Sequence, residues 1–78
     1  MKLRDMLSAM HKDTRALISV YENAIDAQNE DMNAVTTCAT DDPRDAEKLH
    51  AVLDADVISF QAVAWGSKLL IYCREASK

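Results

Sequence analysis

With 78 residues, thirteen Asp and Glu against nine Lys and Arg, and a net charge of -4, the chain reads as one small acidic domain. Its 49% hydrophobic content with a single Gly and a single Pro excludes disordered and loop-rich classes, and its acid surplus disfavours nonspecific attraction to nucleic-acid phosphates or an anionic membrane. A core of this size rarely supplies more than about 3 to 5 kcal/mol, so oligomerisation or partner binding is expected.

In the first half, Leu3, Leu7, Met10, Thr14, Leu17, Tyr21, Ala24 or Ile25, Gln28, Met32 and Val35 recur at steps of three and four. That spacing predicts one helix over about residues 3–35, with Asp5, Lys12, Arg15, Ser19, Asp26 and Glu30 on its opposite face. The β-branched run Val35-Thr36-Thr37 frays its end. Thr40-Asp41-Asp42-Pro43 is the one strong punctuation. Pro43 suits a first helical turn because its missing N–H would have no intrahelical partner there, and Asp42 before it is the expected N-cap.

Ala46, His50, Leu53, Val57, Phe60, Ala64, Ser67 and Ile71 then step by three and four, which predicts a second helix over about residues 43–75, after a turn at 36–42. Two long helices and a short turn make an antiparallel hairpin, so the expected fold is all-α and a single domain over residues 1–78. Ile58, Trp65, Leu69 and Tyr72 form a further apolar row on the far side of the second helix. One partner helix cannot cover both sides, so that row is expected to dimerise the hairpin into a four-helix bundle. The alternative is an ααββ chain with a C-terminal β-hairpin turning at Gly66-Ser67, since Gly-Ser between apolar runs is a hairpin signal. Against it, Lys68 to Cys73 does not alternate and an isolated hairpin is marginal in water.

Charge is segregated: +2 over residues 1–21, -8 over 22–56 and +2 over 57–78. Glu22, Asp26 and Glu30, four apart, make an acidic candidate face for a basic partner, although such runs are usually just solvated. His50 and Asp54 are spaced for one helix face, but surface pairs of this kind seldom hold a metal, and no catalytic, cofactor-binding or metal-ligating motif stands out. Leu3, Met6, Leu7 and Met10 read as core in preference to an adaptable binding cluster. Cys38 and Cys73 are too few and too far apart for a disulfide framework, which favours a reducing compartment. No secretory leader is expected in the charge-interrupted first residues, and Val57 to Cys73, broken by Gln61 and Lys68, falls short of a membrane span.

These readings combine into a cytoplasmic, noncatalytic protein-binding regulator or adaptor, homodimeric, with no cofactor and no direct nucleic-acid or membrane binding. Its partner would be a larger protein with a basic or apolar docking surface. Ile58, Trp65, Leu69, Tyr72, Glu22, Asp26 and Glu30 are the expected contacts. The alternative is an acidic, phage-type inhibitor that occupies the nucleic-acid site of a DNA- or RNA-handling enzyme. An RNA-binding hairpin would need basic residues that the exposed faces mostly lack.

Overall fold

A computed structural model describes residues 1–10, 14–29, 33–63 and 68–76. In chain order the elements are α1 (Leu3–Ala9), β1 (Arg15–Tyr21), α2 (Ala24–Gln28), β2 (Thr36–Ala39), a 3-10 turn (Pro43–Asp45), α3 (Ala46–Ala51), β3 (Asp56–Val63) and β4 (Lys68–Arg74). The strands form one mixed sheet in the order β2-β1-β4-β3. β1 and β4 run parallel at its centre, and β2 and β3 pair antiparallel to them at the two edges.

The all-α hairpin with helices over 3–35 and 43–75 is overturned, and the four-helix bundle falls with it. The ααββ alternative is closer, because β3 and β4 pair antiparallel; its turn residues, Gly66 and Ser67, lie outside the described residues. Three physical reasons account for the correction. Ala16, Ile18 and Val20 are buried at a period of two, a strand pattern that the three-and-four stepping of the neighbouring apolar residues masked. Lys68 to Cys73 does not alternate because β4 is a central strand with side chains packed on both faces, where no polar face is required. And the β3–β4 pair is not isolated, since β4 docks on β1 along its whole length, from Arg15 opposite Lys68 to Tyr21 opposite Arg74.

The core lies on one face of the sheet. Ile18 faces Ile71 across the parallel pair and Cys38 across the antiparallel one, while Val20 sits beside Cys73. Leu3 and Met6 of α1 close over these residues, with Leu7 and Met10 packed alongside, so the i, i+3, i+4, i+7 cluster is core as its spacing predicts. Leu49 and Val52, at and just beyond the end of α3, cover the rest. Asp42 caps the 3-10 turn by accepting the Arg44 N–H at 2.9 Å, with Pro43 inside that turn's start.

Alternation sends Leu17, Ser19 and Tyr21 to the opposite face. There α2 packs against β1, β4 and β3 and buries Ala27, and the rings of Tyr21 and Tyr72 meet at 6.5 Å between centroids, tilted by 35°. α2 starts at an Asn23 cap: Asn23 Oδ1 accepts the Asp26 N–H at 2.9 Å while its amide donates to Asp26 Oδ2 at 3.1 Å. Among the described residues no helix is long and apolar enough to cross a membrane.

Candidate partner-binding surface

The sheet disperses the apolar row expected on a second helix. Ile58 is the half-buried extra residue of a β-bulge between Val57 and Ser59, which tightens the twist of β3 at that point. Leu69 lies on the core face beside Ala16, partly buried. Tyr72, three residues on, lies on the opposite face beside Ser19, and its hydroxyl accepts from Gln61 Nε2 at 3.4 Å. Trp65 lies outside the described residues.

Glu22 and Asp26 are not one helical face. Glu22 is exposed directly after β1, whereas Asp26 is the half-buried third residue of α2, held by the Asn23 cap. Both nevertheless belong to one end of the sheet, where the parallel strands β1 and β4 finish. Glu75 joins them there, because its N–H donates to the Tyr21 carbonyl at 2.7 Å and so seats it next to Glu22. Glu30 lies outside the described residues. Glu75 escaped the sequence reading because nothing in a helical hairpin brings it to Glu22; only the parallel pairing of β1 with β4 does.

The cations are largely consumed inside the molecule. Lys2 Nζ reaches Asp56 Oδ1 at 3.0 Å and Arg74 Nη2 reaches Asp56 Oδ2 at 2.5 Å, so one carboxylate receives two bases. Their hydrogen bonds, that of Arg74 first, hold the Asp56 carboxyl below the usual range. Arg4 binds Asp54 through Nε and Nη2 at 2.8 and 2.7 Å. Arg44 forks onto Asp42, which lowers that carboxyl and raises the guanidinium. Arg15 lies 3.9 Å from Asp41. Five of the seven described bases are therefore paired, leaving Lys48 and Lys68. Asp5, Glu22, Asp26, Glu47 and Glu75 have no ionic partner among the described residues.

The expected His50–Asp54 face is not formed, since α3 ends at Ala51 and Asp54 turns to Arg4. No three described His, Cys, Asp or Glu side chains gather as a metal-holding group. Both cysteines are buried, unbridged and part of the core, Cys38 included, which a turn position would have exposed.

Phe60, whose spacing predicts a place on a second helix, stands instead on edge strand β3, opposite Ile71, with 60% of its surface exposed. Ile25 on α2 is 70% exposed, on another element. The signal that could have singled out Phe60 is the run Val57 to Val63, uncharged and without proline, which lacks the usual protection of an edge. No protein-family model matches the chain, and no curated protein or solved structure shows significant similarity to it.

Proposed function

We propose that this chain is a noncatalytic acidic protein that binds a DNA- or RNA-handling enzyme by occupying its basic nucleic-acid site. The observation that carries the reading is the internal pairing of Lys2, Arg4, Arg15, Arg44 and Arg74, which leaves the unpaired carboxylates to set the outer field. Glu22, Asp26 and Glu75 belong to it at the carboxyl ends of β1 and β4, positioned by a capped helix and a backbone hydrogen bond. Exposed carboxylates held on rigid elements can meet the Lys and Arg side chains that otherwise hold phosphates, and such charge matching governs association rate and specificity. An adaptor working through an apolar helix face has lost that face together with the helix. Buried, unbridged Cys38 and Cys73 suit a reducing compartment, which supports the cytoplasm as the place of action.

The test is capture from native lysate on immobilised protein, followed by elution with duplex DNA, with RNA or with salt. The captured enzyme is expected to be released by nucleic acid and by raised salt. The combined variant Glu22→Gln, Asp26→Asn, Glu75→Gln, which keeps the hydrogen-bonding shapes, should weaken binding by about tenfold or more and flatten its salt dependence. A partner indifferent to nucleic acid, to salt and to these substitutions sinks the proposal.

A further inference from the structure

The two edges of the sheet are treated differently. On β2, four residues long, the Ala39 N–H on the side away from β1 is taken by Asp45 Oδ2 at 2.9 Å, and α3 packs against the strand. That edge is short and closed at Ala39. On β3 the first residues are also covered: Lys2 bridges Asp56, the Val57 N–H donates to the Met1 carbonyl at 2.8 Å, and the Leu3 N–H donates to the Ala55 carbonyl at 2.8 Å. Among the described residues this cover stops beyond Val57. From Ile58 to Val63 the outer edge of β3 meets no other described strand, and neither a charge nor a proline protects it.

We propose that two copies of this chain pair through this edge, β3 against β3, antiparallel about a two-fold axis, extending four strands to a continuous eight. Three features select a second copy as the occupant. An antiparallel strand pair is compatible with a two-fold axis and self-complementary when no like charges oppose, and Ile58 to Val63 has none to oppose. Phe60 lies near the middle of the free stretch, so the partner's own Phe60 comes alongside and the most exposed ring among the described residues is covered on both copies at once. Finally, the one carboxylate on the strand, Asp56, is neutralised by Lys2 and Arg74, and the unpaired acids Glu22, Asp26 and Glu75 stand at the carboxyl ends of β1 and β4, so the free edge is a neutral approach on an acidic molecule. The pairing stops itself, because Met1 and Lys2 occupy the edge before Ile58 and keep the contact to these few residues.

Sedimentation velocity across micromolar concentrations tests this directly. A species of twice the chain's mass is expected, and Phe60→Lys, at an exposed position, should raise its dissociation constant by at least about thirtyfold while leaving the circular dichroism spectrum unchanged. Independently of that variant, single cysteines introduced as Phe60→Cys, Gln61→Cys and Ala62→Cys should include one that crosslinks two copies under mild oxidation, whereas Thr37→Cys, exposed on the β2 edge, should not. A monomer at every concentration overturns the proposal and leaves the edge to an extended segment of some other protein. So does a dimer that ignores Phe60→Lys, or one that crosslinks through Thr37→Cys alone.

Discussion

Asp56 ties three segments together, since it opens β3, pairs in register with Arg74 on β4 and accepts Lys2 from the first residues of the chain. Its carboxyl titrates below the ordinary range because both partners favour the charged form. A pKa depressed on folding contributes stability above the unfolded value, about 4, and that contribution is lost as pH falls through the depressed value. Asp56→Asn is therefore expected to unfold at lower urea than the parent at neutral pH, with the gap closing below about pH 4. Equal midpoints at neutral pH would remove Asp56 from this role. The two thiols behave in the opposite sense. Burial pushes Cys73 up to about 12 and raises Cys38 as well, with Asp45 adding to the latter. β1 lies between their strands, which sets the strands about 9 to 10 Å apart, beyond the reach of a disulfide. Labelling by an aromatic disulfide reagent near pH 8 should thus be slow on the native protein and complete for both thiols in denaturant; rapid native labelling would contradict the burial of these side chains.

Among the elements, the parallel pair β1–β4 carries most of the core. Ile18 and Ile71 are both fully buried and stand opposite each other. Shortening either to Val should cost about 0.5 to 1.5 kcal/mol. Because the two share one packing site, Ile18→Val combined with Ile71→Val should depart from additivity by about 0.5 kcal/mol or more in urea unfolding, whereas independent sites would add. The helical pieces were legible where the signal is local: Leu3 to Met10 by spacing, and the turn at Asp42-Pro43 by the chemistry of proline. β1 was not, because RALISVY offers apolar residues to both a period of two and steps of three and four, and only its neighbours decide. β4 was not, because a central strand discards the alternation by which strands are recognised. The break between α1 and β1 carries no Gly or Pro, so the sequence gives no local reason to stop a helix there.

At the scale of the whole molecule, composition already announces an acidic surface, but which acids are unpaired depends on contacts such as Arg4 to Asp54, fifty positions apart. Glu22 and Asp26 were legible as candidates by their charge; Glu75 became one only through the sheet, and Phe60 only through its place on an edge. The same long-range wiring governs how the protein can be made. β1 receives its parallel partner only when residues 68–74 exist, and the start of β3 receives Lys2 from the opposite part of the sequence. During synthesis, β1 and β2 can pair early, yet they must wait for the last strand before the sheet acquires a centre. Such high contact order makes folding slow, and until residues 68–74 have docked the apolar strands stand open to cellular chaperones.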